Sequence, residues 1–386
     1  MNVDQDLGVL RSAVGCYIHI PFCKSKCYYC DFVSFTEHQP IKEYAETLLK
    51  EIEYKATKLN EDIIIKTIYI GGGTPSYIDS TYIVQMLEKM KNTFIIDENA
   101  EITIEVNPGS VTIEKLLDYK NAGINRISIG LQTANDENLK KIGRIHTYKE
   151  FKESYNLIKE VGFSNINIDL IFSLPNQTLV DVKKDLDEII NLNPNHISLY
   201  SLILEEDTKL YKLVQNSNEY ILPTEEVERE MYWEIVNTLE NMGYKHYEIS
   251  NFAKQNFESK HNLSCWNQEE YLGFGVAAHS YYNNTRYSNT SNLNEYIDNK
   301  SYTQPNIEEE QNEESKMKEY MLLKLRTIDG VYISEFKQKF VINPVILFRN
   351  ELDYLVREEL LDIDLDRIYL TNKGLNLANQ VFEKFI

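Results

Sequence analysis

The chain has 386 residues, a hydrophobic fraction of 42% and a formal net charge of −20. Its length predicts two domains, because single cores stop growing at roughly 250–300 residues. The acidity speaks against a nucleic-acid partner, which needs a basic patch, and the densest run, Glu308-Glu309-Glu310, has the opposite sign. No stretch approaches the ~20 apolar residues of a membrane helix. The first twenty residues lack the basic start and apolar core of a secretory signal, so a cytoplasmic protein is expected. Five cysteines are an odd count, and Cys23, Cys27 and Cys30 crowd one stretch, CKSKCYYCDF. That suits a metal site in a reducing compartment better than a disulfide framework. Cys16 and Cys265 stand apart, as small buried hydrophobes do.

Along the chain, short β-branched runs alternate with longer helical patterns. Strands are predicted at 16–20, 65–70, 101–106, 125–131, 165–171 and 196–200. Helices are predicted between them, at 41–58, 81–93, 112–123 and 179–192 among others. This alternation predicts a parallel sheet with right-handed crossovers. A parallel strand buried on both sides should be apolar throughout, yet these strands alternate. Glu101, Thr103, Glu105 and Asn107 interleave with Ile102, Ile104 and Val106. Arg126, Ser128, Gly130 and Gln132 repeat the pattern, as do Asn165, Asn167 and Asp169. Helices would cover the greasy face, and the polar face would line a ligand-filled lumen. A closed eight-stranded barrel is filled by bulky apolar side chains. Six strands with a polar lumen predict an open, partial parallel β/α barrel instead.

The strand ends carry the chemistry, as is usual in such folds. The first leads into the three-cysteine loop and the second into GGGTPS (71–76). The third ends in EVNPG (105–109), the fourth in GLQT (130–133) with GRIHT (143–147) soon after, and the fifth carries Asp169. A glycine run lets backbone approach a ligand. Glu105 could pair with an ammonium, Arg144 with a carboxylate, and Asp169 with a ribose or an amine. Singly, each is as readily a turn or a surface residue. Three thiolates also admit zinc, with His19 or His38 as fourth ligand, although structural zinc favours paired C-x2-C knuckles. An iron–sulfur cluster held by three cysteines leaves one iron for a chelating small molecule.

Beyond about residue 300 the pattern changes. An acidic, polar stretch (301–314) reads as a linker between a domain at 1–300 and one at 301–386. Helices follow at 315–330, 334–340 and 344–359, then two short strands near LLDID and RIYLT, then a helix at 373–385. This predicts a mainly helical, winged-helix-like module. Glu351, Asp353, Glu358 and Glu359 crowd its would-be recognition helix, so a lid or docking role is expected rather than DNA reading.

The C-x3-C-x2-C loop and GGGTP resemble the radical S-adenosylmethionine (SAM) superfamily. The wider set YIHIPFC, GGGTPS, IEVNPG, RISIGLQ, GRIHT and IDLIFSLPNQT is similar to the oxygen-independent coproporphyrinogen III oxidase family, densely over 16–280 and loosely beyond. The resemblance implies a [4Fe–4S] cluster on Cys23, Cys27 and Cys30, with SAM chelating the open iron. By motif position it implies SAM contacts from Tyr17, Tyr29, Gly72, Gly73, Thr74, Glu105, Gln132, Arg144 and Asp169. It also implies an electron donor such as a flavodoxin or ferredoxin.

That family has two branches, the true oxidase and the HemW-type heme chaperone, which hands heme to acceptor hemoproteins, membrane-bound respiratory enzymes among them. Oxidases typically extend the motif with a further cysteine where this chain has Phe32, and carry more sequence ahead of the cluster loop. The chaperone branch carries an H-N-x-x-Y-W motif, and here HNLSCW spans 261–266. The expectation is therefore a heme chaperone, with the oxidase or another radical SAM enzyme as the alternative. His261 would offer heme an imidazole and Trp266 a packing face. Cys265 replaces the motif tyrosine and adds a thiol, and His279 is a second imidazole. Peripheral membrane association and a homodimer are compatible with this reading.

Overall fold

A computed structural model describes residues 13–59, 63–298 and 301–386. The residues behind the expectation of no secretory signal lie mostly outside this set.

Six strands follow one another in space as in sequence: β1 (Ala13–Ile20), β2 (Ile64–Gly72), β3 (Ile95–Val106), β4 (Arg126–Gln132), β5 (Asn165–Phe172) and β6 (His196–Ser201). Each pairs in parallel with the next. This is the predicted open parallel β/α barrel, with helices over its greasy side. Ile18, Ile68, Ile104, Ile129 and Ile168 point into one apolar core and are fully buried. Local signals set the helix ends. Thr147 with Glu150, and Thr178 with Asp181, form reciprocal capping boxes that start the helices 148–160 and 179–192.

The sheet runs on past these six strands. Beyond β6 lie β7 (Lys245–Glu248) and β8 (Asn251–Ala253), with β8 antiparallel to β6. On the other flank β9 (Tyr271–Phe274) adds to β1 in parallel. It is followed outward by β10 (His279–Tyr282), β11 (Thr285–Ser288) and β12 (Asn306–Glu310). The last of these corrects the expected linker. NIEEE is an outer strand of the large sheet, paired antiparallel with β11, where Arg286 sits opposite Glu309. An edge strand exposed on both faces carries no apolar alternation, so nothing in its pattern separates it from a linker.

The C-terminal residues build a second core around Met321, Leu325, Phe336, Leu355 and Phe385. The strands β14 (Leu361–Ile363) and β15 (Arg367–Leu370) form the predicted hairpin. A short β13 (Val331–Tyr332), not anticipated, joins β15. The expected helix at 344–359 is two helices broken at Phe348, and the expected helix at 373–385 is broken at Leu377. At both breaks an apolar side chain is drawn toward the small core while the backbone leaves helical angles. The module touches the barrel where Ile249 packs on its core, and Trp233 Nε1 donates to Asn376 Oδ1 at 2.9 Å.

Candidate cofactor site

Strand register stacks the polar side chains of the lumen in layers. At the base, Gly15, Thr67 and Glu101 are neighbours. Above them lie Tyr17, Tyr69, Thr103, Arg126 and Asn165. Next come Glu105, Ser128, Asn167 and His196, and then Gly130, Asp169 and Ser198. The alternation seen in the sequence is thus a set of cross-strand rows.

At the C-terminal ends of the strands a cavity of about 470 Å³ opens. Cys23, Cys27 and Cys30 all line it, as do Tyr29, Gly72, Gly73 and Thr74. Glu105, Gln132, Arg144 and Asp169 line it too, from three further strand ends. Tyr17 does not. Its hydroxyl meets His19 Nδ1 at 2.9 Å, and its ring stacks on Tyr69.

Polar groups around the thiols are aimed. Thr74 Oγ1 donates to Cys23 Sγ at 3.5 Å, and Arg144 Nη1 donates to Cys27 Sγ at 3.5 Å. Arg144 is held in turn by Asn107 Oδ1 (2.8 Å) and the Gly130 carbonyl (2.7 Å), while its buried Nε has no partner among the described residues. Burial raises the Cys23 thiol above its ordinary range and pushes Cys30 up to about 11. Such thiols ionise when a cationic centre binds them.

Glu105 accepts from the Tyr69 hydroxyl (2.9 Å) and from the Gly72 amide (3.2 Å). Burial, then the charge of Asp169, raises its carboxyl to about 7. An ammonium beside it would restore the ionised form. Asp169 accepts from Ser128 at 2.7 Å and Asn167 at 2.8 Å, and burial raises its pKa as well. Gln132 sits at φ +76, a backbone conformation unusual outside glycine, at the cavity wall. Gly72 has φ +111, and a Cβ there would lie 2.4 Å from the His19 ring.

These residues fit a cluster with a chelating ligand. No group of three or more His, Cys, Asp or Glu side chains among the described residues converges on a single-ion position. Zinc would need that convergence, with Zn–S bonds of ~2.3 Å. Nor does either histidine serve. His19 spends Nε2 on the Val33 carbonyl (2.9 Å) and Nδ1 on Tyr17, so it braces the cluster loop, and His38 is exposed. That bracing role was not read from the sequence.

The heme-motif residues lie at the opposite end of the lumen. The helix Lys260–Trp266 closes its base. Glu101 accepts from the Lys260 and His261 amides at 3.1 Å each, so a carboxylate caps the helix start. His261 is 8% exposed, and its Nδ1 lies 2.8 Å from Thr67 Oγ1. Its ring stacks on Tyr69, centroids 5.2 Å apart. Burial, then the charge of Arg126, lowers its pKa to about 4, so the imidazole is neutral. Burial pushes Cys265 up to about 11, so it remains a thiol. Trp266 stacks under the Arg326 guanidinium, 4.9 Å from ring centroid to Cζ. His279 is elsewhere, half-exposed on β10 with Nε2 3.1 Å from Glu308.

The chain matches the Radical SAM superfamily model over residues 17–189 and the HemN C-terminal domain model over 311–377. It is 39% identical to the heme chaperone HemW of Lactococcus lactis over 98% of both chains. To the heme chaperone HemW of Bacillus subtilis it is 38% identical, over 96% of this chain and 98% of that one. Coproporphyrinogen III oxidase (HemN) from Escherichia coli, a radical SAM enzyme, superposes with a TM-score of 0.85 at 23% identity, over 97% of this chain and 90% of the other, which shows a shared fold. With identities near two-fifths sustained from end to end, the chain belongs to the HemW heme-chaperone family of the radical SAM superfamily.

Proposed function

We propose that this chain is a heme chaperone that binds heme, carries a [4Fe–4S] cluster and SAM at the mouth of its lumen, and passes heme to acceptor hemoproteins. The observation that carries the reading is end-to-end similarity to proteins named heme chaperones. Cys23, Cys27 and Cys30 are the cluster ligands in this reading, and Glu105 takes the SAM ammonium. Tyr29, Gly72, Gly73, Thr74, Gln132, Arg144 and Asp169 complete the SAM pocket, with Tyr17 acting through His19. When bound, the cluster and SAM supply one-electron chemistry, and the protein supplies orientation and exclusion of water.

His261 is the heme ligand of choice. Thr67 occupies Nδ1, and Nε2 has no hydrogen bond among the described residues, which leaves it for a metal. Trp266 contributes an apolar face near the same helix. Cys265 and His279 are weaker candidates, the first for its protonated thiol and the second for its ion pair with Glu308. The cytoplasm, where thiols stay reduced, suits a chain whose five cysteines are all free. No helix among the described residues is long and apolar enough to cross a membrane, so contact with a membrane-bound acceptor would be peripheral. The cluster's electrons would come from a flavodoxin or ferredoxin.

Anaerobic heme titration tests the reading. A saturable Soret shift at one heme per chain, lost in His261→Ala with the fold intact by circular dichroism, supports it. Conversion of coproporphyrinogen III with stoichiometric SAM consumption and no heme binding would replace it with the oxidase.

A further inference from the structure

Between the cofactor cavity and the helix that closes the base lies the layer containing Thr103, Arg126 and Asn165, neighbours in register on β3, β4 and β5. Arg126 is 2% exposed and among the largest fully buried side chains of the protein. It makes no hydrogen bond and no ion pair among the described residues, and its buried Nε has no partner. Its two register neighbours share the defect, for Thr103 Oγ1 and Asn165 Oδ1 are also buried and unpartnered. In the adjacent layer of the lumen the polar groups are satisfied. Asn167 binds Ser128 and Asp169 at 2.8 Å each, and His196 binds Asn167 and Tyr247. Buried polar groups are almost always paired, and a buried guanidinium more strictly than most. Three orphans in one cross-strand row, one of them a cation, mark a place built for a group that is not part of the chain.

We propose that Arg126, with the Thr103 hydroxyl, forms an anion subsite that takes a carboxylate of the ligand held in the lumen. A carboxylate matches the guanidinium fork and accepts the hydroxyl proton as well. Phosphate is disfavoured, because Glu101, Glu105 and Asp169 surround the layer and a dianion would meet all three. Arg126 stands within electrostatic reach of both Glu105 at the mouth and His261 at the base. A carboxylate seated there therefore connects the two ends of the lumen. Given the function proposed above, this carboxylate is a propionate of heme. The methionyl carboxylate of SAM is engaged at the cluster's open iron in that reading, so SAM serves as the comparison ligand.

The test compares ligands with and without the carboxylate on the full-length protein, anaerobically, after cluster reconstitution. One arm measures heme against heme dimethyl ester by Soret titration. The other measures SAM against its decarboxylated analogue by calorimetry. Each is run on the unmutated chain, Arg126→Gln, Arg126→Lys and Thr103→Val. In the heme arm, the unmutated protein should prefer the carboxylate ligand by at least about tenfold. Arg126→Gln should erase that preference while leaving the ester or decarboxylated ligand unchanged, and Arg126→Lys should restore part of it. The SAM arm should not respond to Arg126→Gln, and a response there in place of the heme arm would overturn the assignment to a heme propionate. If Arg126→Gln does not fold, Thr103→Val should still narrow the preference severalfold.

An Arg126 that only balances the charges of Glu105 and Asp169 would weaken both ligands of a pair equally, and that result overturns the proposal. So does equal affinity of the unmutated protein for heme and its dimethyl ester, which would leave ordered water as the occupant of the layer. Failure of both heme and its ester to bind would overturn the chaperone reading and the subsite with it, whereas heme that binds no better than its ester overturns the subsite alone.

Discussion

The two ends of the lumen are built in different ways. At the mouth, loops and glycines present three thiols and several polar side chains to an open cavity. Donors such as the Arg144 guanidinium are already aimed at sulfur. At the base, a short helix is capped by Glu101, tied to Thr67 and covered on its Trp266 side by Arg326, whose guanidinium also lies over Phe382. The mouth is preorganised and reachable as it stands. The base is largely engaged with the chain itself, with His261 Nε2 and the buried Trp266 Nε1 left without a hydrogen bond among the described residues, and Arg326 of the C-terminal module lies over Trp266. A site can thus be legible in two ways, as groups waiting for a partner or as a motif already engaged with its own protein.

The largest effect expected from disturbing this contrast is at the mouth. Cys27→Ala should abolish the cluster, since two remaining thiolates cannot hold it. Iron and sulfide content and the visible absorption after anaerobic reconstitution would fall to background, while far-ultraviolet circular dichroism stays unchanged. Full cluster content in that variant would break the assignment.

Gly72→Ala comes next. The backbone there is left-handed, and the new Cβ would lie 2.4 Å from the His19 ring that braces the cluster loop. A loss of at least about 2 kcal/mol is expected in denaturant unfolding. Gly109→Ala is the matched control. It shares a positive φ but meets nothing within 4 Å, so it should cost only ~1 kcal/mol. Equal losses would deny the close packing at the mouth.

Glu105 sharpens the contrast by pH. Its carboxyl is raised to about 7 by burial and by Asp169, against partial counterweights from the Tyr69 and Gly72 hydrogen bonds and then from Arg126. The folded protein therefore holds a proton that the unfolded chain releases near its ordinary carboxylate range. The cost of the ionised form is absent at pH 4, grows between about 4.5 and 7, and is complete above that. Without ligand, Glu105→Gln should match the unmutated protein at pH 4 and exceed it by about 2 kcal/mol at pH 8. The figure is discounted because the carboxylate faces a cavity that water enters. SAM affinity of the unmutated protein should rise through the same window, and the rise should vanish in the variant.

The smallest effect belongs to the base. Trp266 Nε1 is buried without a partner among the described residues, so Trp266→Phe gives up no hydrogen bond and keeps an aromatic face for Arg326. A change below about 1 kcal/mol is expected in urea unfolding. A larger loss would mean that the base depends on the indole in a way its contacts do not account for.

The parallel barrel was legible because its strands alternate. One polar face repeated at 101–107, 126–132 and 165–169 marked the lumen before any coordinate, and the helices at 41–58 and 179–192 have their predicted ends. The cysteine loop and GGGTP marked the mouth by falling at successive strand ends, and their resemblance to the radical SAM superfamily implied what binds there. What stayed hidden needed the third dimension. His19 looks like a metal-ligand candidate until both ring nitrogens are found occupied. Tyr69, which stacks on His261 and donates to Glu105, is one aromatic among many in sequence. The edge strand at 306–310 has no buried face to impose a period, and the helix breaks at Phe348 and Leu377 follow from packing in the small core. Arg126 was visible as a lumen residue, but only the register shows that its neighbours lack partners too.

The outermost strand bears on how copies of this protein meet. A sheet edge offers unpaired backbone groups to any passing strand, a standing invitation to aggregate. Here that edge ends in Glu308, Glu309 and Glu310, all exposed. Two copies joining edge to edge would align carboxylate against carboxylate, and the repulsion grows as salt is lowered. The stretch that looks most like a spacer therefore works as a fence along one edge of a twelve-stranded sheet.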